Sequence, residues 1–199
     1  GSGALYANSV PFDRVDDEPV MAVVLIDDPN ASTNFRALPI SVTIAVASDS
    51  VGSVQRAQQH REAGREVVLI PPITGSDSRT DIARRLTEAM QNIPEAVAVM
   101  DMPGQAFQRS RFAVDEVMVA LAGSGHGMII YPGELNTAER LGVQQNVATA
   151  RVFREIDGLG QDAAAVKLLL DQAAFQARQL NTVILIGRNR PETVQALAE

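Results

Sequence analysis

Seven short apolar runs punctuate this chain, spaced so that a helix fits between most neighbours. They occupy 21–27 (MAVVLID), 41–47 (SVTIAVA), 66–70 (EVVLI), 96–100 (AVAVM), 127–131 (GMIIY), 149–153 (TARVF) and 182–186 (TVILI). Each is rich in Val or Ile and lacks strict polar alternation, the pattern of strands covered on both faces. Between them, 53–63, 78–92, 110–122, 136–142, 161–180 and 191–198 carry helical patterns. Ser78 precedes Asp81 at capping-box spacing, and Pro191 opens a helix with Glu192 in its first turn. Gly64, and Gly123 or Gly125, suit helix ends. Strands alternating with helices predict an α/β fold of parallel βα units with right-handed crossovers. Periodicity leaves an open doubly wound sheet and a closed or distorted barrel both standing. In either, a ligand site lies at the carboxyl ends of the strands.

Residues 1–20 show no periodicity, and Asp13, Asp16, Asp17 and Glu18 make them acidic. They read as a flexible lead-in whose opening Gly-Ser-Gly resembles a cloning remnant. Residues 21–199 then form a single domain, as expected for 199 residues in all. Composition narrows the chemistry. Without cysteine, thiol nucleophiles, zinc knuckles and iron–sulfur centres are excluded. A net charge of −7 argues against a nucleic-acid partner. No apolar run is long enough to span a bilayer. Lys167 is the only lysine and lies mid-helix, a poor place for Schiff-base chemistry.

The strand ends hold Asp27 and Asp28, Asp49, Asp101, Glu134, Glu155 and Arg188, and no histidine. Asp27 and Asp28 are the sharpest local signal. Adjacent residues at a strand end point to opposite sides unless a turn gathers them. Together they could bind a hard cation, or one could act as a base with its pKa raised by the other. Asp28 could equally cap a turn. A phospho-receiver domain would need a lysine after the fifth strand, and none stands there. The Gly-rich stretch 123–127 precedes a strand, the reverse of a dinucleotide fingerprint, and reads as a helix C-cap and turn. His126 in that turn and His60 on a polar helix face read as surface residues. Ser48 and Ser50 flank Asp49, but without a rim histidine no Ser–His–Asp relay can form. Arg188 could hold a ligand or pair with Asp27 or Asp28.

In order along the chain, MAVVLIDD, ALPISVTIAVA, AGREVVLIPP, IPEAVAVMDMPG, SGHGMIIY and VILIGRNRPETVQAL resemble the divergent polysaccharide deacetylases of bacteria. The resemblance implies a distorted seven-stranded (β/α) barrel of the glycoside hydrolase/deacetylase type. It also implies a periplasmic or cell-envelope location, a glycan such as peptidoglycan as ligand, and an N-terminal membrane anchor in many members. In that family the first strand ends in an Asp–Asp pair, one the base and one a metal ligand, positions that carry over onto Asp27 and Asp28. The remaining metal ligands are histidines. Where the resemblance expects them, this chain has Ile70, the segment Met100–Asp101–Met102, and Arg188.

Those replacements govern the expected function. Catalytic zinc takes about three protein ligands, mainly imidazole, and isoleucine and methionine offer no comparable donor. A guanidinium about 4 Å from a cation opposes it by about 4 kcal/mol at an effective dielectric of about 20. Arg188 is therefore expected to occupy the vacated metal place and neutralise the acids. The reading is a catalytically degenerate domain that binds a glycan or an envelope protein with no cofactor and no metal, its rim formed by Asp49, Asp101, Glu134 and Arg188. The alternative is an active deacetylase using Asp27 and Asp28 with a carboxylate-bound divalent metal at Asp28. A purely structural envelope module is the third reading.

Overall fold

The alternation closes into a ring. In the computed structural model, which describes residues 3–15, 18–31, 33, 35, 38, 41–133 and 136–199, seven parallel strands follow one another round a closed barrel in chain order. They are β1 (Val20–Ile26), β2 (Thr43–Ala47), β3 (Val67–Ile70), β4 (Ala96–Met100), β5 (Gly127–Ile130), β6 (Thr149–Glu155) and β7 (Thr182–Arg188). Closure comes from β1 pairing with β7 in register from Val20 opposite Thr182 to Ile26 opposite Arg188. Outside the strands lie α2 (Ser53–Glu62), α3 (Arg79–Asn92), α4 (Arg111–Ser124), α5 (Thr137–Gln145), α6 (Ala163–Leu180) and α7 (Pro191–Ala198). Among the described residues no helix is long and apolar enough to cross a membrane.

Both strand faces are buried, so two cores form. Val24, Ile26, Ala45, Ile70, Met100 and Ile186 belong to the column inside the barrel. Val23, Leu25, Ile44, Leu69, Val99 and Leu185 pack outward under the helices. This double burial explains why the runs are apolar throughout rather than alternating. It also sets a parity rule at each strand end, because successive side chains point to opposite faces.

The helix starts follow the expected chemistry. Ser78 caps α3 by accepting from the Asp81 N–H, and Pro191 stands in the first turn of α7. Gly125 ends α4 in the left-handed conformation, as the Gly-rich turn implied.

The lead-in expected over 1–20 carries structure. Residues Ala4–Asn8 form a short helix, α1, docked under the barrel. The Leu5 N–H donates to the Gly125 carbonyl at 2.9 Å, and the Leu5 side chain packs against the inner column. Asn8 Nδ2 donates to the carbonyls of Pro94 and Ala96, each at 3.0 Å. Val10 N–H donates to Glu66 Oε1 at 2.9 Å. The backbones of Gly3 and Gly125 approach so closely that a Cβ on Gly125 would lie 2.4 Å from Gly3 Cα. A helix of five residues is too short to show a period, so no hydrophobic pattern marks it. Asp16 and Asp17 lie outside the described residues.

Candidate functional site

Parity decides what the first acidic doublet does. Val24 and Ile26 point inward and Val23 and Leu25 outward, so Asp27 continues the outward row and Asp28 the inward one. The two carboxylates have different surroundings. Asp28 is exposed at the rim, where its Oδ1 accepts the N–H and the side-chain amide of Asn30 in a local turn. Asp27 is buried between the strand and α2.

Arg56 and His60, four residues apart on α2, both reach Asp27. Arg56 Nε donates to Asp27 Oδ2 at 2.6 Å, and His60 Nε2 lies 3.6 Å from the same oxygen. Arg56 also donates through Nη2 to Ser50 Oγ at 2.7 Å and through Nη1 to the Val51 carbonyl. Asn189, just beyond β7, donates its amide to Asp27 Oδ1 at 3.2 Å and to the Asp28 carbonyl at 3.1 Å. Its Oδ1 accepts the Asp28 N–H at 2.9 Å. Burial alone would push the Asp27 carboxyl up, but His60 and Arg56 together outweigh it and hold the group below the usual aspartate value.

The expectation that His60 is a surface residue is therefore corrected. Ser53, Ala57 and His60 recur at i, i+4 and i+7 and form the buried face of α2. The small side chains at 53 and 57 let the helix lie close to the sheet. His60 also meets the Phe35 ring edge-on at 4.9 Å between centroids. His126 is buried as well, at the opposite end of the barrel, where Nδ1 lies 2.9 Å from Ser124 Oγ and burial pushes its pKa down.

Arg188 does point into the mouth, but its partners differ from those expected. Nη1 pairs with Glu155 Oε1 at 2.6 Å and Asp157 Oδ1 at 3.0 Å, not with Asp27 or Asp28. The reason is again parity. A bulge in the β6–β7 pairing between Val152 and Arg154 is followed by Ile156 facing outward, which leaves Glu155 and Asp157 on the inner side beside Arg188. Asp157 is fixed further by the Arg188 N–H and the Thr193 hydroxyl, both at 2.7 Å. Glu155 packs so tightly on the Gly158 backbone that a Cβ there would come within 2.5 Å of its carboxylate.

Tyr131 caps the inner column above Ile129. It is 5 % exposed, and its hydroxyl is buried without a hydrogen-bond partner among the described residues. Burial, with the charges of Glu155 and Asp101, pushes the hydroxyl well above the ordinary phenol value, so it stays protonated and can donate.

The other expected rim residues divide. Asp49 is exposed in the turn after β2, with no ion pair among the described residues. Asp101 is buried, and its two oxygens accept the backbone N–H groups of Met102, Phe107 and Gln108 at 2.7–2.8 Å. Burial lifts its pKa against the pull of those donors. It clamps the β4–α4 loop rather than facing a ligand. Glu134 lies outside the described residues.

A zinc-type metal does not fit these donors. Asp27 is already engaged by a guanidinium and an amide, Asp28 Oδ1 is taken up by Asn30 in an exposed turn, and Ile70 occupies a position where imidazole was expected. Among the described residues no group of three His, Asp or Glu side chains could hold an ion. The strand-end side chains described so far are carboxylates, a guanidinium paired with two of them, and a phenol.

The comparisons agree with this fold. A family model described as divergent polysaccharide deacetylase matches residues 24–199. The uncharacterized protein YibQ of Escherichia coli (strain K12) is 25% identical over 206 residues, covering 91% of this chain and 63% of that protein. The chain thus spans less than two thirds of that relative's length. Among solved structures, an uncharacterized protein of Agrobacterium tumefaciens C58 (ATU2773) superposes with a TM-score of 0.84 at 17% identity, covering 98% of this chain and 87% of that one. A cellobiose-phosphate cleavage candidate of Enterococcus faecalis V583 (EF3048) superposes at 0.69 with 6% identity, covering 92% and 91%. At those identities the structures speak for the fold alone.

Proposed function

The chain belongs to the divergent polysaccharide deacetylase family, and from that premise we propose that it is a non-catalytic glycan-binding domain of the bacterial cell envelope. One observation carries the reading: the first acid of the family's doublet is engaged by Arg56, Asn189 and His60 rather than left to a metal. Hydrolysis of an acetamide needs an activated water and a cation or donor set at the developing oxyanion. Here Asp27 faces α2, away from the mouth, and Arg188 is held by two carboxylates. A cavity lined by Gln105, Gln108, Arg109, Tyr131, Asn136 and Glu139 opens beyond the ends of β4 and β5, the side of the barrel where this architecture binds ligands. Its position in the envelope, and a protein partner there, belong to the same proposal.

Isothermal titration of the protein with peptidoglycan fragments and with chito-oligomers tests the binding. Heat with at least one is expected, and no heat with any defeats the glycan reading. Acetate release from the same ligands, measured with added Zn²⁺, Mn²⁺, Mg²⁺ or Ca²⁺, tests the absence of turnover. Release that is lost in Asp28→Ala would establish the alternative, an active deacetylase with a carboxylate-held cation.

A further inference from the structure

At the amino ends of the strands the inner column is incompletely filled. Further up, that column carries Ile26, Ile70, Met100 and Ile186. Near the floor, parity turns Ala22, Ala98, Gly127 and Ala150 toward the axis, and these small residues leave a cavity of about 230 Å³ between them. Leu5 of α1 lines it from below, and Val24, Val68 and Ile129 line its upper end.

Protein interiors seldom hold voids larger than a water molecule. Ala22, Ala150 and Ile184 nevertheless stay only half-buried although they face the barrel axis. Neighbouring side chains therefore do not close over this space, and it can be reached from outside. Water suits it poorly, because a confined water needs about two to four polar partners. Among the described residues the polar side chains that line it are Thr43, Glu66 and Thr149, all at or just before the strand starts. Glu66 is already tied to the segment after α1, its Oε1 accepting the Val10 N–H at 2.9 Å. An apolar cavity of about 150 Å³ is enough to take up benzene, so this one has room for a somewhat larger hydrocarbon.

We propose that this cavity binds the alkyl tail of a neutral amphiphile, its head resting at the strand starts beside Thr43, Thr149 and Glu66. Threonine hydroxyls both donate to and accept from a hydroxyl head, whereas the Glu66 carboxylate opposes an anionic one. The tail gains by leaving water for walls of Ala, Val and Ile. The site lies at the end of the barrel opposite Asp28 and Arg188, so it stands or falls apart from the glycan reading.

The test titrates the whole chain with straight-chain alcohols from butanol to nonanol, read from the methyl resonances of Ala22, Ala150 and Ile184. Each added methylene is expected to tighten binding about fourfold, the equivalent of about 0.8 kcal/mol, until the cavity is full. The affinity then levels off. An affinity that climbs through the whole series marks partition onto the surface and overturns the proposal, as do methyl resonances that stay still. Hexanoate is expected to bind at least several-fold more weakly than hexanol, and equal binding overturns the neutral head. Ala150→Leu fills the cavity and is expected to abolish the shifts at Ala22 and Ile184 while the urea midpoint holds. Should that variant fail to fold, the smaller Ala22→Val, read at Ala150 and Ile184, is expected to weaken hexanol at least about tenfold. Unchanged affinity in a folded variant overturns the site.

Discussion

Removing the guanidinium of Arg56 leaves the Asp27 carboxylate buried against His60 and Asn189 without its cation. Breaking such a pair from one side costs about 3 kcal/mol, because the surviving charge is left unpaired. Arg56→Ala is therefore expected to lower the unfolding free energy measured by urea denaturation by that amount, and Asp27→Asn in the same background to recover part of it. The pH dependence follows from the lowered Asp27 value. A carboxyl whose folded pKa lies below its unfolded one contributes stability above the unfolded value of 3.8 and loses it as pH falls through the folded one. Acid titration of stability should show that loss, and Asp27→Asn should flatten it. At this scale the sequence was half legible. The doublet stood out because two acids end an apolar run. Its separation followed from parity, but the partners did not. His60 sits in QQHREAG, polar on every side by eye, and its burial depends on Ser53 and Ala57 being small enough to bring α2 close.

At the scale of elements, seven strands and six helices were readable because each strand is apolar on both faces and each helix is punctuated. Ser78 shows the strength of such signals: Ser78→Ala should cost about 1 kcal/mol, read from the denaturation midpoint. The element that escaped, α1, is held by contacts distant in sequence rather than by its own pattern. Gly125→Ala tests that dependence. It adds a Cβ where φ is +74° and where the Gly3 backbone already touches. The expected result is loss of about 1 kcal/mol or more from the left-handed strain, with faster amide exchange at Leu5 and Val10. Unchanged exchange at both would mean that α1 is anchored elsewhere. Asp101 belongs to this scale too. It looked like a rim ligand because it follows a strand, yet one residue of parity turned it into the clamp of its own loop.

For the whole molecule, ring closure is what periodicity could not decide. An open sheet and a barrel share the same alternation, and only the pairing of β1 with β7 distinguishes them. That seam continues past the last paired residues through Asn189, whose carboxamide meets the Asp28 backbone through both of its ends and the Asp27 carboxylate besides. One amide therefore ties the Asp28 backbone to the Asp27 carboxylate. In the proposed glycan complex, a contact made on Asp28 would shift the same group that steadies Asp27. The side-chain N–H resonance of Arg56 is then expected to move on titration with a chito-oligomer, and a resonance that stays still would mean that the two acids respond separately.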